Sequence, residues 1–262
     1  MNITLLGTCS GTEPMPGRHH VSFAIESGGW VYWFDAGESC SHTGHTHGLD
    51  LLRVRAIFIS HPHIDHTGGL ANLVWTMHKL DGRNTDPARA LGDRKVPLFL
   101  TSPEVWEGVR SLLGASLGRP EDRLVAEPRY YSDGPIYDDG TLRVQARHNT
   151  HLGHPAPGQP WRAFSFRIEA EGKAMVYSGD IGHVSELDPL LEGAELVLME
   201  TGHHGVREVC QYLAASDKRW GRLGFIHHGR AILGDPEGQL AIARGILGDR
   251  VFIGEDGMRL TV

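Results

Sequence analysis

The strongest constraint on this chain is a run of ligand-type side chains, His61-Pro62-His63-Ile64-Asp65-His66. It follows a short apolar segment at residues 56–60 and precedes Thr67-Gly68-Gly69. Imidazole and carboxylate are the usual protein ligands of zinc, iron and manganese. In extended backbone His61 and His63 point the same way, because side chains alternate with a period of two, and they can share one ion. Asp65 and His66 lie where the chain turns towards a helix, so they face elsewhere and suit a second ion. The two glycines let the backbone close tightly around them. Four ligands do not complete two coordination spheres. The chain must therefore fold so that distant segments deliver more.

The hydrophobic pattern says what kind of fold can do this. Strands are expected at residues 3–6, 21–26, 31–35, 56–60, 97–100, 142–146, 164–169, 174–178, 196–200 and 223–226. Ser27-Gly28-Gly29 marks a hairpin turn between the second and third. Residues 251–254 and 258–262 are expected to close the chain as a hairpin through Glu255-Asp256-Gly257. Helices are expected at 69–78, where Leu70, Leu73, Val74 and Met77 share a face, and at 103–113, 206–214 and 236–246. Thr101 or Ser102 caps the helix at 103, and Asp235 the helix at 236. Residues 40–47, 81–95 and 114–139 read as loops. Each half of the chain holds several strands and then helices, which two sheets packed face to face with helices outside would satisfy.

Three further candidates sit just past the carboxyl ends of expected strands, as the first cluster does. They are His151 in His148-Asn149-Thr150-His151, Asp180 in Tyr177-Ser178-Gly179-Asp180, and His227 in Ile226-His227-His228-Gly229. His148 and His154 compete with His151, and His228 with His227. Glu200 ends another strand, and His203 and His204 follow it as candidate pocket residues. Asp35 ends a core strand and suits hydrogen-bonded support of the site. His42, His45 and His47 form a looser cluster whose simpler reading is a solvated loop.

Composition narrows the function. A formal net charge of −7 gives no general attraction to polyanions, which argues against a nucleic-acid partner. Cys9, Cys40 and Cys210 are scattered and odd in number, so a reducing, cytoplasmic setting is expected. Residues 1–8 lack a signal-peptide pattern, and no apolar stretch is long enough to span a membrane. The oligomeric state is left open.

Taken together, Phe34-Asp35-Ala36-Gly37, the cluster from His61 to Gly69, Asn149-Thr150-His151, Tyr177-Ser178-Gly179-Asp180 and Ile226-His227-His228-Gly229 make the chain resemble the metallo-β-lactamase superfamily, closest to its ribonuclease Z and phosphodiesterase branch. The resemblance implies a four-layer αββα sandwich, with residues 1–262 as one domain. It implies that His61, His63 and His151 hold one divalent ion and Asp65, His66 and His227 another, with Asp180 bridging. It favours His151 for the Asn two residues before it, and His227 for its place before Arg230. Zinc is the first choice of metal, with manganese or iron as alternatives. The implied chemistry is attack of metal-activated water, with Asp65 as ligand and proton shuttle and His204 or His228 assisting the leaving group. Lactam cleavage is disfavoured because no cysteine suits the second metal. Transfer-RNA processing is disfavoured because the segment at 152–162 is short and Pro-rich, unlike a basic RNA-gripping arm. A small-molecule substrate, a phosphodiester such as a cyclic or modified nucleotide, is preferred, with an aryl sulfate or carboxyl ester next. An iron oxidoreductase and a non-catalytic metal-binding sensor are the readings from other classes.

Overall fold

The computed structural model describes residues 1–11, 15–92, 94–117 and 125–262. Gly28 and Gly29 both have positive φ, 56° and 78°, which a side chain would resist. They join β2 (Ser22–Ser27) to β3 (Trp30–Phe34) as the expected antiparallel hairpin. Outward from β3 run β4 (Val54–Phe58), β5 (Val96–Leu100) and β6 (Ala126–Tyr130), all parallel. On the other side, β1 (Asn2–Gly7) pairs with β2 and then with β14 (Arg259–Thr261). The second sheet is built in order from β7 (Gly134–Asp138), β8 (Leu142–His148), β9 (Phe164–Ala170), β10 (Lys173–Tyr177), β11 (Ala194–Thr201), β12 (Trp220–His228) and β13 (Val251–Ile253).

The sheets pack face to face. Phe23, Phe34 and Phe58 from the first meet Phe166, Tyr177 and Leu198 from the second in one buried apolar layer. Helices cover the outer faces. On the first sheet lie α1 (Cys40–Thr46), α3 (Leu70–Asp81) and α4 (Pro103–Leu117). The buried residues of α3 are Leu70, Leu73, Val74 and Met77, the stripe that the sequence predicts. On the second sheet lie α5 (Asp188–Leu191), α6 (Val206–Ala215), the short α7 (Arg230–Gly234) and α8 (Pro236–Leu247), with the Asp235 side chain accepting from Gly238 N–H at the start of α8. This is an αββα sandwich. No helix among the described residues is long and apolar enough to cross a membrane.

Three expectations about local structure change. The terminal hairpin does not form. The chain does turn at Gly257, but β13 pairs parallel with β12 in one sheet and β14 antiparallel with β1 in the other. A turn signal places a bend and does not choose the pairing partner, which here is the free edge of each sheet. Residues 114–139 are not one long loop, since they contain the last turn of α4 and the strands β6 and β7; residues 118–124 lie outside the described residues. These strands carry Pro128 and Pro135 and lie at sheet edges, where a missing N–H is tolerated. Within residues 40–47, Cys40–Thr46 form α1, because Cys40 and Gly44 bury against Trp33 despite poor helix formers. The stretch at 81–95 keeps its irregular character apart from a single 3-10 turn at Pro87–Arg89, with residue 93 outside the described set.

Candidate metal centre

Parallel and antiparallel pairing together make β4, β8, β10, β11 and β12 end at one rim of the sandwich. The first cluster follows β4 and enters the short helix α2 (Ile64–Thr67). His151 follows β8, Asp180 follows β10, and Glu200 and His203 lie at or beyond the end of β11. His227 occupies an extra position in β12, where Glu200 pairs with Ile226 but Thr201 pairs with His228. That bulge gives His227 a φ of 50° and turns its ring into the rim. Gly202 makes room for it, since a Cβ there would lie 2.7 Å from His227 Nδ1.

The gathered side chains fall into two sets around Asp180, which is 2 % exposed. Asp180 Oδ2 lies 3.6 Å from His61 Nε2 and 3.6 Å from His151 Nε2. His63 Nδ1 joins that set, 3.2 Å from His151 Nε2. Asp180 Oδ1 lies 3.4 Å from His66 Nε2 and 3.4 Å from His227 Nδ1. Asp65 Oδ2 joins this second set, 3.0 Å from His227 Nε2. One donor atom per residue lies within 4.8 Å of the others in His61, His63, His151 and Asp180, in Asp65, His66 and His227, and in Asp180, Glu200, His203 and His227.

Donor chemistry suits a cation. His61 Nε2, His66 Nε2, His227 Nδ1 and Asp180 Oδ1 are buried without a hydrogen-bond partner, and the three imidazole nitrogens lie 3.4–3.6 Å from the Asp180 carboxylate. Buried polar atoms are normally satisfied, so four orphans gathered around Asp180 call for a ligand. Asp35 prepares this arrangement. Its carboxylate accepts from Ser60 N–H at 2.7 Å, from Ser60 Oγ at 2.8 Å and from Tyr177 Oη at 2.5 Å. It also meets His66 Nδ1 at 2.7 Å. A proton held on Nδ1 leaves the Nε2 lone pair free for a cation. Asp35, like His227, has a φ of 50°, so two of the described residues with left-handed backbone stand at this rim. The expectation that Asp35 supports the site by hydrogen bonding is what the geometry shows.

Electrostatics within the cluster are strongly coupled. Burial acts to raise the Asp180 carboxyl, but the charges of His227 and His66 hold it well below the usual carboxylate range. Asp65 is likewise held low, against burial, by the hydrogen bond from His227 and the charge of His66. Burial acts to lower His227, but Asp180, Asp65 and Glu200 push it up to about 9. His61 goes the other way, lowered by burial and by His66. Carboxylates kept ionised and imidazoles crowded beside them form a site for divalent cations, which replace the protons.

The neighbouring histidines separate by direction. His148 Nδ1 meets Asp133 at 2.6 Å and its ring stacks on Trp161, away from the rim. His154 packs edge-on against the same Trp161. His228 is buried with Nε2–H donating to Gly254 O at 2.8 Å and Thr201 Oγ within 3.4 Å of Nδ1. His204 donates from Nε2 to Ile181 O at 3.1 Å. His203, by contrast, reaches Asp180 Oδ2 at 3.8 Å and Glu200 Oε1 at 3.2 Å, with its side chain 45 % exposed. Sequence reasoning offers His203 and His204 alike as pocket residues and gives Glu200 no role, because nothing in two adjacent histidines says which turns inward. Its signal was the acidic residue ending an otherwise apolar strand. His42 and His45 are exposed on α1 and join none of the groups suited to an ion.

His228 makes a measurable prediction. Burial lowers its pKa from 6.5 to about 3. The folded value lies below the unfolded one, so the unfolded chain binds more protons between these limits, and stability falls as pH drops from 6.5 towards 3. In metal-stripped protein, His228→Gln keeps a donor for Gly254 and should remove about 3 kcal/mol of the loss between pH 6.5 and 4. Urea melts across that range measure it, and an unchanged acid limb in the variant counts against a neutral buried imidazole.

Comparison with known proteins agrees with this geometry. A family model described as the beta-lactamase superfamily domain matches residues 32–235. The chain belongs to the beta-lactamase superfamily. Curated relatives named ribonuclease Z match it from end to end. Ribonuclease Z of Mycolicibacterium paratuberculosis is 26 % identical over 292 residues, covering 100 % of this chain and 98 % of the relative. Human tRNase Z, short form, shares the superfamily fold with a TM-score of 0.70 and 19 % identity, covering 100 % of this chain and 99 % of that one. The metallo-beta-lactamase fold protein YhfI of Bacillus subtilis superposes with a TM-score of 0.76 and 16 % identity, over 99 % of each chain.

Proposed function

We propose that this chain hydrolyses a small phosphodiester with two divalent ions, zinc first and manganese or iron as alternatives. One observation carries the reading: the two oxygens of Asp180 face two different histidine sets. On this reading His61, His63 and His151 hold one ion, Asp65, His66 and His227 hold the other, and Asp180 is common to both. Imidazole-rich sets with carboxylates suit zinc. Such ions supply Lewis acidity, which lowers the pKa of water and offsets charge on the phosphate. Ligands from both halves of the chain support reading residues 1–262 as one catalytic domain.

The protein's own groups then divide the remaining work. Asp35 orients His66, and Glu200 orients His203. The hydrogen bond to Glu200 raises the His203 pKa and favours its charged form. Glu200 itself is held at about 2, against the effect of burial, by hydrogen bonds with His203 and His227. A half-exposed imidazolium at the lip of the site is suited to protonate a departing alkoxide. This gives His203 the role that the sequence assigned to His204 or His228, whose ring nitrogens are engaged with backbone carbonyls.

The net charge of −7 and the short segment at 152–162 support a small diester. The end-to-end likeness to proteins named ribonuclease Z makes a transfer-RNA precursor the second reading. Metal analysis combined with a substrate panel separates them. About two equivalents of zinc or manganese per chain are expected, with turnover of bis-p-nitrophenyl phosphate ahead of p-nitrophenyl sulfate and p-nitrophenyl acetate. A coloured iron protein that consumes oxygen and leaves the diester intact would sink the reading. Faster cleavage of a transfer-RNA precursor than of the diester would move it to the second substrate.

A further inference from the structure

The Pro-rich segment at 152–162 does more than shorten a loop. With the end of β5 and the start of α4 it encloses a cavity of about 620 Å³. The cavity adjoins the metal rim by covalent links on two sides. Leu152, on its wall, follows His151 directly. Arg162, on the other side, stands two residues before Phe164, whose N–H bonds Ser60 O at 3.1 Å, next to His61.

Its lining has two characters. Leu152, Pro155 and Pro160 give a stiff apolar wall. The opposite side is polar. Thr101 is 7 % exposed and its hydroxyl has no hydrogen-bond partner, an unusual state for a buried polar atom. Arg162 Nη2–H donates to Ser102 Oγ at 3.4 Å, and Ser102 in turn donates to Glu104. Gln159 adds an amide that both donates and accepts. A concave site with a flat apolar wall and a few directed polar groups is how proteins hold a small ligand.

We propose that this cavity binds the nucleoside of a nucleotide-derived phosphodiester while the phosphate sits at the metal rim. The inference rests on the phosphodiester reading above. The base lies against the prolines and Leu152, with its edge towards Gln159. The sugar hydroxyls meet Thr101, Glu104 and Arg162, which lie together on the polar side through Ser102.

The test uses the metal-loaded full chain with thymidine 5′-p-nitrophenyl phosphate and methyl p-nitrophenyl phosphate, two diesters with the same leaving group. Binding of thymidine alone is followed by saturation-transfer NMR. Wild type is expected to bind thymidine and to prefer the nucleoside diester by about ten-fold or more in kcat/KM. Thr101→Val and Arg162→Ala should each raise KM for the nucleoside diester about ten-fold and weaken thymidine binding. Both variants should leave methyl diester kinetics within about two-fold of wild type. No thymidine binding, or an equal loss on both diesters, overturns the proposal. Thymidine binding that both variants weaken, in a protein that cleaves neither diester, upholds the cavity and overturns the hydrolytic reading. Cleavage of both diesters without thymidine binding does the reverse.

Discussion

Asp180→Ala is expected to lower kcat/KM on bis-p-nitrophenyl phosphate by about 10³-fold or more, and to leave the protein short of its full metal content. The size follows from position. Among the described residues, Asp180 is the side chain whose oxygens face both histidine sets, and it is buried at the centre of the rim. Its removal takes one negative charge from a site crowded with imidazoles, so both cation positions lose a ligand. Asp180→Asn separates charge from shape, since the amide keeps the volume and one carbonyl oxygen. It should retain more bound metal than the alanine variant while remaining severely impaired. Metal stoichiometry by plasma emission, alongside kinetics, checks both. An alanine variant with full activity and full metal would refute the shared role of Asp180.

His203→Ala is expected to cost about 10²- to 10³-fold in kcat with metal content unchanged. The loss should be larger for a diester with an alkoxide leaving group than for p-nitrophenolate, which needs little protonation. The pH profile gives the sharper readout. A general acid must carry its proton, so wild-type kcat should fall at high pH as His203 deprotonates, and the variant should lack that limb. Glu200 raises the His203 pKa through a 3.2 Å contact. Glu200→Gln should therefore move the same limb to lower pH without abolishing it. A limb that stays in place in both variants would remove His203 from the chemistry.

Much of the fold was legible because it is written in local pattern. The alternation of β8, the apolar run of β11 and the stripe of α3 each follow from residues close together in sequence. The misses share a cause. The helix α1 exists because Gly44 and Cys40 fit under Trp33, and the edge strands β6 and β7 exist because a sheet edge accepts prolines. Neither reason is local. The parting of β13 from β14 is similar, since a three-residue strand takes whichever edge is free.

By itself the sequence determined the kinds of ligand, their placement at strand ends, and the sandwich that such strands and helices can build. Only the tertiary structure decided which histidine of each close group looks inward: His151 and not His148, His203 and not His204, His227 and not His228. The reason is directional. Neighbouring residues at the end of a strand point to opposite sides, and a single bulge reverses the choice. At β12 that bulge is the extra position of His227, held with its left-handed backbone by pairing to β11 and by the space that Gly202 leaves.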